Sequence, residues 1–321
     1  MNGTRSYRAA VFAGPAEGCR IERYELPTLA SGDVLVRAKC CTLCSSDLHT
    51  YHGRRTSPAP SILGHEVIGV VEDTGGCETF RRGDRVTWSI AASCGECRLC
   101  RRGLPQKCST LFKYGHERFL SGDKPSGGLS EYCVLRAGTA MFAVPETLSD
   151  AVAATANCAA ATVMAVLRLA GNIEGKTVLV QGAGILGLYA ALAAQESGAD
   201  VVLLEPDPSR SAKAVAFGIK PIQHGDAVGL RDQVADLTKG QGVDVALEFS
   251  GRPEAVEEAL PLLGVGAAYV LAGAVFPARP AAVDLETVVR KLVRVQGVHN
   301  YAPQDLAAAI PFLVRQVERY P

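Results

Sequence analysis

The chain has 321 residues, with 33 Lys and Arg balanced by 33 Asp and Glu, 48% hydrophobic residues and 21% charged residues. That balance excludes an intrinsically disordered chain, which needs low hydrophobicity and high net charge. It also leaves no basic excess for a nucleic-acid partner held by phosphate neutralisation. The length accommodates one very large or two medium domains. Eleven cysteines are an odd number, so complete intramolecular pairing is impossible. The N-terminal stretch has no long apolar segment of a secretory signal. Thiols or metal ligands in a reducing cytoplasm are therefore expected rather than a disulfide framework.

Residues 1–152 carry short alternating apolar runs at 7–12, 33–40, 66–73 and 84–90. Turn signals at Ser31-Gly32-Asp33 and Arg82-Gly83-Asp84 punctuate them. The pattern predicts a β-rich domain with long loops. Residues 151–170 are alanine-dominated, with Ser149 and Asp150 able to cap their start and Gly171-Asn172 to stop them, so a helix is expected there. Strand and helix patterns then alternate across 153–299: strands at 176–181, 200–205, 243–250, 266–274 and 293–298, helices at 185–198, 208–218, 228–240 and 253–263. Continuous Val/Leu strands alternating with amphipathic helices predict an α/β, doubly wound parallel sheet of Rossmann type. Residues 177–195 are uncharged and nearly long enough to span a bilayer, but glycines and a Gln interrupt them. Strand, turn and helix is the better reading, and no membrane partner is expected.

Three groups of residues carry chemistry. Gly182-Ala183-Gly184-Ile185-Leu186-Gly187 follows a strand and opens a helix. Gly182 makes the tight turn, Gly184 admits a pyrophosphate to the backbone, and Gly187 lets helix and strand pack closely. The next strand ends in Glu205, where an acid meets a ribose hydroxyl and repels a 2′-phosphate, so NAD is preferred over NADP. Cys94, Cys97, Cys100 and Cys108 fall in one short segment, 93–109, suited to a closed tetrahedral zinc site. Thiolate ligation alone does not choose the metal, and an iron–sulfur cluster competes. The third group is dispersed: Cys44, His65 and Cys158, which spacing alone does not assemble.

With Cys44-Ser45-Ser46-Asp47-Leu48-His49, Gly64-His65-Glu66, the four-cysteine lobe, Ala156-Asn157-Cys158 and the Gly-rich turn in this order, the chain resembles the zinc-dependent medium-chain alcohol dehydrogenase family along nearly its whole length. The resemblance implies a GroES-like catalytic domain at 1–152, a Rossmann domain at 153–299 and a return segment at 300–321, short or truncated against the family pattern. It implies two Zn2+ per chain, the catalytic one held by Cys44, His65 and Cys158, the structural one by the four-cysteine lobe. Glu66 would be a carboxylate near the metal, and Asp47 would orient His65. Ser46 would hold the substrate hydroxyl proton and His49 would pass it to solvent. Thr162 and Leu186 would line the nicotinamide, and Arg210 would lie near the adenine ribose. A late basic residue that the family offers to the pyrophosphate has no match. The implied activity is NAD-linked oxidation of a small-molecule alcohol or reduction of an aldehyde, by a homodimer or homotetramer. Segments 46–55, 86–108, 113–117, 154–165 and 297–306 further resemble a bacterial branch associated with phosphonate catabolism. On that resemblance Arg54, Arg55, Lys113 and His116 are candidate contacts for a substrate anion, and His299, Asn300 and Tyr301 face the nicotinamide or a subunit contact. The alternatives are a polyol, amino-alcohol or threonine-type dehydrogenase, or a zinc- and NAD(H)-binding sensor without catalysis.

Overall fold

The computed structural model describes residues 5–222 and 227–320. They form two compact units, one running through Ala161 and joined by Ala302–Val317, the other spanning Thr162–Tyr301 with Glu318 onward.

The first unit is built on β1 (Ser6–Gly14), β2 (Gly18–Glu25), β3 (Val34–Thr42), α1 (Ser45–Tyr51), β4 (Ser61–Ile62), β5 (Glu66–Asp73), β6 (Arg85–Trp88), β7 (Ala91–Ala92), α2 (Arg98–Arg101), β8 (Phe112–Lys113), β9 (Tyr132–Leu135) and β10 (Met141–Ala143). Five strands make an antiparallel sheet in the order β10-β6-β5-β3-β9. Its core is Val34, Val36, Val67, Val71, Val86, Trp88 and Leu135, all buried. β-branched side chains suit such a pleated, half-buried surface. A smaller sheet, β2-β1-β4, and the β7-β8 pair complete the β-rich unit.

The expected single helix at 151–170 is broken into three pieces. These are α3 (Asp150–Ala154), a π turn at Ala156–Ala160 and α4 (Ala161–Ala170). In the π turn the Ala160 N–H reaches back five residues to the Thr155 carbonyl. The wider turn carries Asn157 and Cys158, and single π turns of this kind recur at functional sites. The turn packs on β5 and β6. The division of the chain therefore falls at Ala161, beyond the turn, and not at 152.

The second unit carries β11 (Thr177–Gln181), α5 (Ile185–Glu196), β12 (Asp200–Leu204), α6 (Pro208–Ala216), β13 (Pro221–Ile222), α7 (Ala227–Thr238), β14 (Val243–Glu248), α8 (Pro253–Ala259), β15 (Leu263–Leu271), α9 (Leu285–Arg290) and β16 (Arg294–Gly297). All six strands are parallel, in the order β13-β12-β11-β14-β15-β16. This is the doubly wound Rossmann order, with its switch point beside β11. The helix expected over 253–263 stops at Ala259, and β15 starts three residues earlier than expected, at Leu263. Pro261 sits in the short 3-10 turn between them and cannot continue an α-helix. α10 (Pro303–Arg319) lies mostly in the segment that clusters with the first unit.

The uncharged run at 177–195 is divided between β11 and α5, as expected. Among the described residues one helical run, Asp150–Ala170, is long and apolar enough to cross a membrane. Most of it is buried inside the protein, as a core helix would be.

Candidate active site and metal centres

Cys44 is the N-cap of α1, and Asp47 occupies the third helical position. The Asp47 Oδ2 accepts the Cys44 N–H at 3.0 Å, closing a capping box. Its Oδ1 accepts the Gly64 N–H and bonds His65 Nδ1, each at 3.2 Å. One buried carboxylate thus holds the start of α1, the turn before β5 and the His65 ring. Gly64 is required here: its φ is +88°, and a Cβ would lie 2.7 Å from Cys41 Sγ. With Nδ1 committed to Asp47, His65 presents Nε2 to Cys158 Sγ at 3.5 Å and to Ser46 Oγ at 3.4 Å. Cys158 Sγ lies 4.0 Å from Cys44 Sγ. The three donor atoms lie within 4.8 Å of one another.

These separations fit a tetrahedral zinc site. Zinc bonds of about 2.3 Å to sulfur and about 2.0 Å to nitrogen put sulfurs about 3.8 Å apart and sulfur about 3.5 Å from nitrogen. The chemistry of the set agrees. Contact with Cys158 holds the Cys44 thiol well down, at about 4, against its burial, with His65 assisting. Cys158 is pushed well above the usual thiol range by Cys44 and by its own burial. Burial opposes charge on His65, yet Asp47 and Cys44 raise it to about 9. Two adjacent thiols do not both ionise unaided, whereas a divalent cation favours the deprotonated form of every donor. Glu66 follows His65 directly. Burial and the Cys44 charge raise it to about 7, and Thr42 donates to its Oε2 at 2.6 Å. Ser46 and His49 are three residues apart on α1, hence on one face.

The second cluster is Cys94, Cys97, Cys100 and Cys108, again with all sulfurs within 4.8 Å. Cys108 Sγ lies 3.5 Å from Cys94 Sγ and 3.9 Å from Cys97 Sγ. Backbone N–H groups point at the sulfurs: Cys94 to Cys108, Cys97 to Cys94, Cys100 to Cys97 and Thr110 to Cys108. Those of Ser109 and Cys100 lower Cys97 to about 5, and that of Cys94 leads in lowering Cys108 to about 7. Such donors stabilise thiolates. Gly95 and Gly103, at φ +74° and +76°, let the chain wrap the cluster.

Three of the four anion candidates come together. The His116 Nδ1–H donates to the Tyr114 carbonyl at 2.9 Å, so its Nε2 accepts from Arg55 Nη1, also at 2.9 Å. The His116 ring is 4.9 Å from that of His65. Lys113, on β8, is lowered to about 8 by burial and then by Arg55, while Cys158 and Cys44 pull the other way. Arg54 does not join them: its side chain is exposed.

In the second unit the Gly-rich turn connects β11 to α5. Gly182 has φ +95°, Gly184 is the N-cap of α5 with open space where a Cβ would stand, and a Cβ on Gly187 would lie 1.7 Å from the Gly182 carbonyl oxygen. Glu205 follows β12, buried, with Oε2 accepting the Ala183 N–H at 2.7 Å and Oε1 the Asp207 N–H at 2.9 Å. Leu186 is half-buried at the start of α5, and Thr162 is half-buried in the first turn of α4. Arg210 is exposed on α6, 4.0 Å from Asp207. His299 is exposed, Asn300 adopts φ +56° and Tyr301 is buried.

Sequence reasoning missed Asn157. Its Oδ1 accepts the Val67 N–H at 3.3 Å and its Nδ2 donates to the Trp88 carbonyl at 3.1 Å, tying the π turn to β5 and β6. The available signal was an Asn inside an apolar alanine run, a polar group that burial obliges to find partners. It also missed Thr42, whose partner Glu66 is 24 residues away and leaves no local trace. Glu248 was missed too: it is fully buried at the end of β14 and accepts from Ser250, Gly251 and Gly273.

Residues 30–146 match the family model described as the alcohol dehydrogenase GroES-like domain, and residues 186–315 that described as zinc-binding dehydrogenase. An L-threonine 3-dehydrogenase of Chelativorans sp. (strain BNC1) is 31% identical over 303 residues, covering 92% of this chain and 85% of that protein. Among solved structures, an alcohol dehydrogenase from Thermotoga maritima is similar at TM-score 0.90 and 27% identity, covering 98% of this chain and 90% of that one. An alcohol dehydrogenase from E. coli CFT073, complexed with NADH, is similar at TM-score 0.84 and 27% identity, covering 98% and 89%.

Proposed function

The chain belongs to the zinc-dependent medium-chain alcohol dehydrogenase family and is an oxidoreductase of the zinc type, and from that premise we propose that it moves hydride between a primary or secondary alcohol and NAD. The observation that carries this reading is the convergence of Cys44, His65 and Cys158 within 4.8 Å. These three would hold one zinc, and the four cysteines of 94–108 would hold a second. Zinc held there would supply Lewis acidity toward an alcohol or carbonyl oxygen, and NAD would supply the hydride-accepting chemistry.

The residues of the chain do the rest. Asp47 fixes the tautomer and orientation of His65. Ser46 Oγ, 3.4 Å from His65 Nε2, takes the substrate hydroxyl proton, and His49 carries it outward. Glu66 stands beside the donor set with a pKa near neutrality. Gly182, Gly184 and Gly187 seat the pyrophosphate on the start of α5. Glu205 receives the adenosine ribose and disfavours a 2′-phosphate, with Arg210 close to that ribose. Thr162 and Leu186 line the nicotinamide. The substrates of this reading include hydroxyalkylphosphonates. A threonine-type activity is the second reading, favoured by the L-threonine 3-dehydrogenases to which the chain is similar.

The test is NADH production by zinc-loaded protein on a panel of primary and secondary alcohols, L-threonine and hydroxyalkylphosphonates, with zinc content measured alongside. Turnover that is lost in Cys44→Ser supports the reading. Tight NADH binding with two zinc per chain and no turnover on any member of the panel sinks it, in favour of a sensor.

A further inference from the structure

Resting on the dehydrogenase reading, we propose that the site takes short alcohols bearing an oxyanion, that Arg55 and Lys113 seat the anion, and that His116 is the positioning residue that aims Arg55. The argument begins with hydrogen-bond direction. The Tyr114 carbonyl can only accept, so His116 Nδ1 carries the proton. Arg55 can only donate, so His116 Nε2 is the acceptor. The ring is therefore held as the neutral tautomer, with both nitrogens spent. It cannot grip an anion as well, which removes His116 from the contacts and makes it the brace of Arg55.

Arg55 gives one of its five N–H donors to His116, and the others remain. Its backbone N–H is anchored to the His49 carbonyl at 3.1 Å, which fixes the path of the chain after α1. Lys113 is anchored by the pairing of β8 with Ala91 of β7. The neighbouring Glu117 carboxylate takes the backbone N–H of Lys113 at 2.8 Å, not its ammonium. Neither cation forms an ion pair among the described residues. Partly buried charges are ordinarily paired. The Arg55 charge is felt by the Lys113 ammonium, so the two cations are neighbours, and the brace ring lies 4.9 Å from the His65 ring. Two unpaired cations thus stand beside the donor set that handles the alcohol oxygen. A guanidinium fork with an adjacent ammonium suits a carboxylate or a phosphonate, and the closeness to His65 calls for few carbons between hydroxyl and anion.

Zinc-loaded full-length protein is assayed with NAD on 2-hydroxyethylphosphonate, 3-hydroxypropionate and 1-propanol. The expected kcat/KM for at least one anionic alcohol exceeds that for 1-propanol by about 10- to 100-fold, the range of a charge-assisted hydrogen bond. In Arg55→Met that ratio collapses toward one, and Arg55→Lys restores it only in part because the fork is lost. His116→Leu raises KM for the anionic alcohol about tenfold more than kcat falls, and His116→Gln, which keeps an acceptor, recovers part of the loss. The phosphonate and carboxylate arms identify which anion is used. Calorimetric titration of 2-hydroxyethylphosphonate and 3-hydroxypropionate into wild type and Arg55→Lys gives a readout free of turnover. Binding that depends on Arg55, without turnover of any alcohol, keeps the seat and overturns the dehydrogenase reading. Turnover with no anion preference, together with anion binding that is absent or insensitive to Arg55, overturns the seat and leaves that reading standing.

Discussion

The Asp47 carboxylate bonds His65 Nδ1 at 3.2 Å, and this contact decides that Nε2 is the ring nitrogen turned toward Cys158. The same carboxylate holds the Cys44 N–H, so it positions two of the three donors at once. Asp47→Asn keeps the shape but removes the charge that supports the ring. The expected outcome is about 10- to 100-fold weaker zinc binding at this site, read by competition with a chromogenic chelator. Affinity equal to wild type would show that Asp47 merely caps α1.

Asn157 and Cys158 are adjacent in the π turn, and Asn157 bridges that turn to β5 and β6. Asn157→Ala leaves a buried N–H and a buried carbonyl without this partner. The expected loss is about 2–4 kcal/mol of stability, seen in chemical unfolding, together with lower zinc occupancy because Cys158 loses its register. A variant with unchanged unfolding midpoint would mean that water replaces the amide.

The segment 93–109 is held by sulfur. Neither α2 nor the short 3-10 turn at Pro105–Lys107 buries a residue, so little hydrophobic burial supports it without a metal. Two zinc per chain are expected in the wild type, falling to one in Cys97→Ser and to one in Cys44→Ser. Chelation should expose all four lobe thiols to a thiol reagent at comparable rates. Loss of both metals in Cys97→Ser alone would contradict two independent sites.

Glu205 directs a fixed negative charge at the Gly-rich turn through the Ala183 N–H. NAD should therefore bind at least about tenfold more tightly than NADP, a difference of about 1.4 kcal/mol. Glu205→Ala should narrow that ratio chiefly by weakening NAD. Titrating NADH and NADPH by fluorescence measures both, and an unchanged ratio would assign the specificity elsewhere.

Gly187 packs so closely on Gly182 that a Cβ would stand 1.7 Å from its carbonyl oxygen. Gly187→Ala must push α5 from β11 and deform the turn. NADH affinity should fall by an order of magnitude or more while the zinc content of the first unit stays at the wild-type value. Retained NADH affinity would mean that the helix shifts without disturbing the turn.

The features legible in the chain order are those whose partners lie close in sequence. The strand–turn–helix around Gly182 and the four cysteines within 94–108 are of this kind, because a turn or a short loop brings such groups together whatever the rest of the chain does. The alternation of 153–299 likewise specifies a parallel sheet, since amphipathic helices and apolar strands can bury their faces in few ways. The donor set of Cys44, His65 and Cys158 is different. His65 and Cys158 are 93 residues apart, and only the packing of the π turn against β5 brings them to 3.5 Å. The sharpest case is the pair Arg54 and Arg55, identical side chains in adjacent positions. The turn after α1 leaves one exposed and delivers the other to a histidine 61 residues away. Residue type told that a cation was present. The path of the backbone decided which cation faces the site, because adjacent side chains leave a turn in different directions.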